Sequence, residues 1–391
     1  MYSLSASQRL FAVIFALLLA GCASQSPSDT AKVVPPTHTP PSASATTPHK
    51  QPAKIIPRPK PQTAPELVSS LLPANLADKG GWAADIVAAF DALGIAPNKS
   101  NICAVLAEIE QESSFQAEPV VFGLPKIVRQ ELEARRKKYG VPQWLMDKSL
   151  ARKSPNGLTY SERIDALKTE TDVNNLYEDI ISEIPMGKKL FADYNPVRTA
   201  GPMQVSMNFA NSYAATRRYP YAHEGSLRNA LFTRKGGLYF GVAYLLDYPA
   251  NYDSMNFRFA DFNAGRYSSR NAAFQNAVSS LSGIPLTPDG DLLSYADGVA
   301  REEASQTMQA LLAISGRLKL DRAEILRNLL LEKSPDFEQS PVYTRVFALA
   351  PGMPRARIPE IEVRSPKFTR KLTTTSYAKR VDGRYKNCLK K

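Results

Sequence analysis

The sequence predicts a mainly helical fold, and three observations support this prediction. Apolar side chains recur at the spacing of one helix face, first at Trp82, Ile86, Phe90 and Leu93. Gly94 follows this repeat directly, as glycine commonly does at the end of a helix. Alternating apolar and polar residues, which are typical of strands, are scarce in the 391-residue chain. Hydrophobic residues make up 43% of the sequence, which is ample for a buried core.

A later helix is predicted from its first turn. Asp321 and Glu324 have the spacing of a capping box, in which each side chain accepts a hydrogen bond from the other residue's backbone N–H. Apolar residues then follow on one face, at Ile325, Leu329 and Leu330. Because no repeat at a fixed period is visible, we expect residues 66–354 to form one helical body and not a repeat array.

The N-terminus has the pattern of an export signal. Residues 11–20 form an apolar run after Arg9 that is too short to span a membrane, which takes about 20 residues. The run ends in small residues before Cys22, and so resembles a bacterial lipoprotein signal. This resemblance implies removal of residues 1–21, a lipidated Cys22 and, because Ala23 and not Asp follows, an outer-membrane anchor facing the periplasm. The alternative is an ordinary signal peptide with an incidental cysteine.

Two segments flank the body and carry most of the net charge of +12. Residues 22–65 are rich in Pro, Ser and Thr, which predicts a disordered, extended linker. Residues 355–391 contain twelve basic and three acidic residues, and we expect a basic, solvated C-terminal tail. In the periplasm this charge favours anionic lipid or cell-wall carboxylates as partners, and not nucleic acid. The sequence does not identify a protein partner.

The histidine and cysteine content limits the chemistry. His38 and His49 lie in the linker, so only His223 can belong to the folded body, and a site with two histidine metal ligands is excluded. The cysteines are too far apart for a metal site, so we expect no metal and no cofactor, and chemistry that depends on carboxylates. Cys103 and Cys388 either form a disulfide in the oxidising periplasm, or Cys103 is buried and Cys388 is free.

One predicted helix carries a candidate acid. It begins near Ser100, a good N-cap residue, and its apolar face carries Ile102, Val105 and Ile109. Glu112 falls at the edge of this face, whereas Glu108 and Glu110 are predicted to point further away. Partial burial raises the pKa of a carboxyl group, and such a group can donate a proton near neutral pH. Glu112 is therefore the candidate general acid.

Further motifs follow the Glu112-Ser113 pair in a defined order. They are a Gly-Pro-Met-Gln turn at 201–204, an Asp-Phe-Asn-Ala-Gly motif at 261–265, and Tyr343 in a late helical segment. Together they resemble the catalytic domain of the soluble lytic transglycosylases, which is similar to goose-type lysozyme. The resemblance implies that Glu112 is the catalytic acid/base and that Ser113 orients it. The implied sugar-binding residues are Met203, Gln204, Phe262, Asn263 and Tyr343.

The resemblance also implies a lysozyme-like helical catalytic domain. Glu112 and Met203 are 91 positions apart, further than in that family, which predicts a helical insertion at about 119–191 beside the cleft. The implied substrate is peptidoglycan, cut between N-acetylmuramic acid and N-acetylglucosamine. Glu112 would protonate the glycosidic oxygen and then help the muramoyl C6 hydroxyl attack C1, giving a 1,6-anhydro product.

Two alternatives stay open at this point. A goose-type lysozyme would hydrolyse the same bond with a second carboxylate, for which Glu118 and Asp261 are candidates. A non-catalytic outer-membrane lipoprotein would bind peptidoglycan without turnover.

Overall fold

The computed structural model describes residues 62–223, 225–296, 299–301, 305–363 and 372–391, and these are mainly helical. The predicted signal peptide, the lipidation site Cys22 and nearly all of the linker lie outside the described residues.

Three helices open the described chain: α1 (Ala64–Leu71), α2 (Lys79–Leu93) and α3 (Lys99–Glu112). Helix α2 ends at Gly94, whose φ of 69° is left-handed, as the sequence predicted for its end. Helix α3 is capped by Asn98 and not by Ser100, because the Asn98 side chain accepts a hydrogen bond from Asn101 N–H. Residues Ile102 to Ile109 of α3 are all buried, so this helix lies inside the core.

The region of the predicted insertion is helical. It contains α4 (Leu124–Lys138), α5 (Gln143–Leu150), α6 (Tyr160–Asp165), α7 (Glu170–Ser182) and α8 (Gly187–Phe191). Ion pairs link these helices at Arg129–Asp165 and Arg163–Asp179. Their buried apolar residues belong to the same hydrophobic cluster as α2 and α3, so the insertion shares the main core.

A short hairpin and four helices complete the main core. Strand β1 (Thr199–Ala200) pairs antiparallel with β2 (Val205–Ser206), with Thr199 opposite Ser206. The helices that follow are α9 (Met207–Thr216), α10 (Leu227–Phe232), α11 (Arg234–Leu246) and α12 (Met255–Ala264). Gly201 and Gly237 let the hairpin turn lie directly on α11, because a Cβ on Gly237 would be 2.9 Å from Gly201 Cα.

A second hydrophobic cluster forms around α13 (Ser268–Ser282). The pair β3 (Tyr295–Ala296) and β4 (Val299–Ala300) precedes α14 (Gln306–Ala313), α15 (Ser315–Leu318), α16 (Arg322–Leu329) and α17 (Pro341–Leu349). The capping box predicted at Asp321 and Glu324 is confirmed, with both reciprocal hydrogen bonds present.

The C-terminal region returns to the main core. Strand β5 (Glu362–Val363) pairs with β6 (Leu372–Thr373), and α18 (Thr374–Leu389) packs against α3 and α12. Three apolar residues of α18 are buried there: Ala378, Val381 and Cys388. The expectation of a solvated extension is therefore wrong for α18, because one face of the helix is a buried stripe while Lys379, Arg380 and Lys386 are exposed on the other.

A disulfide joins α18 to α3. Cys103 and Cys388 are bonded, with their Cα atoms 5.5 Å apart, so the bond connects two helices that are 285 positions apart in sequence. Beside it, Ser100 Oγ lies 2.8 Å from the Tyr385 hydroxyl. In the ranges that the structure describes, no helix has the length and hydropathy required to cross a membrane.

Candidate functional site

Glu112 lies at the last position of α3, where the backbone is held in a strained conformation. Ser113 caps the helix; it is buried and its Oγ donates to the carbonyl of Ile109 at 3.0 Å. Ser114 and Phe115 then have φ values of 51° and 61°. Left-handed residues other than glycine cost about 1–3 kcal/mol each and concentrate at functional sites. The strain marks this helix end as a candidate site.

A tyrosine of α18 connects Glu112 to a second carboxyl group. The Tyr377 hydroxyl lies 2.5 Å from Glu112 Oε1 and 2.7 Å from Glu108 Oε2. Glu112 is half-buried, whereas Glu108 is completely buried. Burial, followed by the neighbouring charge of Glu112, raises the pKa of Glu108 well above its ordinary value. Burial and the two carboxyl groups likewise raise the pKa of Tyr377, so this phenol stays protonated.

The prediction that Glu108 points away from the core is wrong. The apolar face of α3 was identified from Ile102, Val105 and Ile109 alone, but α18 covers a further side of the helix and encloses Glu108. Arg384 of α18 also reaches this region: its Nη1 donates to Gln111 Oε1 at 2.7 Å, and its charge lowers the pKa of Glu108 in opposition to burial.

One of the predicted sugar-binding residues contacts α18. Asn263, at the end of α12, accepts a hydrogen bond from Thr374 Oγ1 at 3.0 Å, one helical turn before Tyr377. The structure therefore brings Asn263 and Glu112 to the same side of α18. The neighbouring Phe262 is half-buried, and its ring packs edge-on against Tyr244 at 5.2 Å.

The hairpin turn carries two more of the predicted sugar-binding residues. Met203 is fully buried and packs against Gly241 of α11, so it supports the turn from inside. Gln204 has a left-handed φ of 49°, accepts from Thr199 Oγ1 at 3.1 Å and donates to the Gly201 carbonyl at 3.3 Å. Gln204 lines a shallow groove with a cavity volume of about 10 Å³, together with Ala117, Glu118, Pro119, Thr169, Glu170, Thr171, Ala200, Gly201 and Phe232. Glu112 is not one of its lining residues.

The structure does not place Tyr343 near Glu112. Its ring stacks on Phe274 at 5.8 Å and packs against Phe337 and Phe347 in the second hydrophobic cluster. The expected role beside the glutamate is therefore wrong for Tyr343. Tyr377 occupies that position, because α18 and not α17 covers the end of α3.

Asp261 is equally unsuited to act on a substrate. It is fully buried and accepts four hydrogen bonds, from the hydroxyls of Tyr248 and Tyr252 and from the backbone N–H groups of Tyr267 and Ser269. Burial raises the pKa of Asp261, and these donors oppose the rise. The carboxyl group joins α12 to the start of α13, so the expectation of a second catalytic carboxylate at this position is wrong.

The chemistry available at the end of α3 is proton transfer. Two carboxyl groups and a phenol can donate and accept protons, with one carboxyl half-exposed. In the part of the chain that the structure describes, no group of His, Cys, Asp and Glu side chains is arranged to hold a metal ion. Glu108 and Tyr377 were missed by sequence reasoning because their burial depends on the packing of α18.

Comparisons with known proteins give the family. The uncharacterized protein YaiW of Escherichia coli (strain K12) is 42% identical over 379 residues, which cover 96% of each chain. No solved structure matches the chain. A family model described as "Protein of unknown function (DUF1615)" matches residues 75–391.

These matches overturn the resemblance to the soluble lytic transglycosylases and goose-type lysozyme. That resemblance rested on short motifs. Two of their residues have structural roles instead: Tyr343 packs in the second hydrophobic cluster, and Asp261 joins α12 to the start of α13. Because one family model covers most of the sequence, the chain belongs to the DUF1615 family.

Proposed function

We propose that the chain is an enzyme that cuts the glycan strands of peptidoglycan, with Glu112 as its acid/base. The proposal is supported by one observation above all: a half-buried carboxyl group at a strained helix end, with its Oε1 held 2.5 Å from the Tyr377 hydroxyl. It does not depend on membership of the lytic transglycosylase family. A lysozyme-like cleft that contains Glu112 is part of the proposal.

The reaction needs one group that gives a proton and then accepts one. Glu112 would protonate the oxygen between N-acetylmuramic acid and N-acetylglucosamine, so that the bond to the muramoyl C1 breaks. The resulting carboxylate would then take the proton of the muramoyl C6 hydroxyl as that oxygen attacks C1. The product is a 1,6-anhydro sugar, and Glu112 ends protonated as it began.

The place of action follows from the predicted export. A disulfide such as Cys103–Cys388 is typical of oxidising compartments, and it supports the proposal that the body lies in the periplasm. Lipidation at Cys22 would hold the protein at the outer membrane, with peptidoglycan strands within reach of the linker. No metal or cofactor is part of the proposed reaction.

A lyase is proposed before a hydrolase because its nucleophile belongs to the substrate, so Glu112 alone suffices for both proton steps. Asp261 is enclosed by its four donors and unavailable to a water molecule. Glu118 is exposed and lines the groove, so it is the group a hydrolytic mechanism would use.

The decisive experiment incubates purified sacculi with the parent protein and with Glu112→Gln, and resolves the products by mass. Glu110→Gln is the matched control, since Glu110 is exposed on the same helix and ion-paired with Arg384. We expect 1,6-anhydro ends from the parent and from Glu110→Gln only. Reducing ends that disappear in Glu118→Gln would instead establish hydrolysis, and bound glycan without products would establish a binding protein.

A further inference from the structure

Glu108 lies behind Glu112 and contacts the same tyrosine, yet the proposed reaction makes no use of it. The Tyr377 hydroxyl is within hydrogen-bonding distance of both carboxyl groups, at 2.7 Å and 2.5 Å. A phenol carries one proton, so it can donate to only one of them. The other contact is a hydrogen bond only if that carboxyl group is protonated and donates to the tyrosine oxygen. The geometry therefore favours one carboxyl proton in the pair.

We propose that Glu108 and Glu112 hold a single shared proton, and that Tyr377 passes it between them. In the first arrangement Glu108 donates to Tyr377, which donates to an ionised Glu112. In the second arrangement Glu112 carries the proton and both hydrogen bonds are reversed. Conversion from the first breaks the O–H bond at Glu108 Oε2 and forms one at the tyrosine oxygen, while the tyrosine's own proton moves to Glu112 Oε1. Tyr377 is neutral before and after.

The surroundings favour the first arrangement at rest. Glu108 is completely buried, and none of the described groups donates to its Oε1. An ionised Glu108 would therefore be a buried charge with Tyr377 as its one hydrogen-bond partner, which is unfavourable. The charged and titratable groups that face it are Glu112 on its own helix, and Tyr377 and Arg384 on α18. Arg384 is already bonded to Gln111, but its charge stabilises Glu108 when the proton leaves. The second arrangement is thereby accessible.

The role of this proton in catalysis rests on the proposed function, whereas its existence does not. Glu112 must be protonated to act as an acid, and only the second arrangement provides this. Glu108 and Tyr377 are then positioning residues, which supply a proton to Glu112 without touching the substrate. Carboxyl pairs that share one proton are known to titrate as a unit.

Infrared spectroscopy tests the shared proton directly. At neutral pH the carboxylic-acid C=O band of the full chain, to which Glu332 also contributes, should lose intensity in Glu108→Gln and keep it in Glu110→Gln. An unchanged band in Glu108→Gln would overturn the proposal. If Glu108→Gln does not fold, Tyr377→Phe serves instead, because it removes the hydroxyl acceptor and must shift the band; an unshifted band in that variant would also overturn it.

Turnover tests the role of Glu108. Glu108→Gln leaves no carboxyl proton at this position to pass through Tyr377 to Glu112, so we expect product formation from sacculi to fall about 100-fold or more at neutral pH. The fall should lessen at low pH, where Glu112 takes a proton from water, which a merely structural defect would not reproduce. Parent-like turnover at neutral pH would overturn this role. If the parent shows the Glu108-dependent band but releases no product from sacculi, the proposed function is refuted and the shared proton is supported.

Discussion

Removal of the Cys103–Cys388 disulfide should destabilise the whole body and not only its C-terminus. The bond closes a loop of 285 positions, and the chain-entropy relation gives about 5.6 kcal/mol for a loop of this length at 25 °C. Measured disulfides usually contribute about 2–4 kcal/mol, because native strain and residual structure in the unfolded chain reduce the effect. We therefore expect the free energy of unfolding to fall by at least about 2 kcal/mol.

The assay is denaturant unfolding of three samples, followed by circular dichroism: the oxidised protein, the same protein with reductant, and a Cys103→Ala/Cys388→Ala variant. The reduced sample changes no side-chain volume in the core, so it separates the cross-link from the cavity left by alanine. Both altered samples should lose stability, with the double variant losing slightly more. A loss below about 1 kcal/mol in the reduced sample would refute the loop-closure reasoning.

Four further substitutions should alter stability in ways that the structure specifies. Asp261→Asn replaces one carboxylate oxygen by an amide NH2, so at least one of the four donors loses its acceptor, which should cost about 1–3 kcal/mol in denaturant unfolding. Glu332 accepts from Leu292 N–H and the Tyr295 hydroxyl, and burial raises its pKa from 4.5 to about 7. The folded state therefore keeps a proton that the unfolded state loses, so stability should fall by about 3 kcal/mol from pH 4.5 to 7, and Glu332→Gln should remove that dependence. Gly237→Ala, whose Cβ would lie 2.9 Å from Gly201 Cα, should lower the free energy of unfolding by about 1–3 kcal/mol. Gly383→Ala, in open space on α18, should raise it by about 0.5–1 kcal/mol.

Local chemistry predicted several elements correctly. The end of α2 at Gly94 and the capping box at Asp321 depend on neighbouring residues, and the structure has both. Glu112 at the end of α3 was likewise identified from the spacing of nearby apolar residues. These features need no knowledge of distant contacts, and so a short stretch of sequence contains the information that specifies them.

Features that depend on packing between distant segments were predicted wrongly. Twelve basic residues after position 354 indicated a solvated tail, although Ala378, Val381 and Cys388 repeat at helical spacing within it. That repeat predicts an amphipathic helix but not its partner, which lies 285 positions earlier. The same contact encloses Glu108, so the buried carboxyl group was missed for the same reason.

The position of Tyr377 is set by contacts on both sides of it along α18. Thr374 bonds to Asn263 one turn before it, and Cys388 is bonded to Cys103 eleven residues after it, or about 16 Å along the helix. Because the hydrogen bond is the nearer contact, loss of the disulfide should lower the free energy of unfolding. It should leave Tyr377 in place in molecules that remain folded. The double cysteine variant should therefore keep the carboxylic-acid band of Glu108 under conditions where it is folded. Loss of that band would mean that the distant covalent bond, and not the Asn263 contact, holds the tyrosine between its two carboxyl groups.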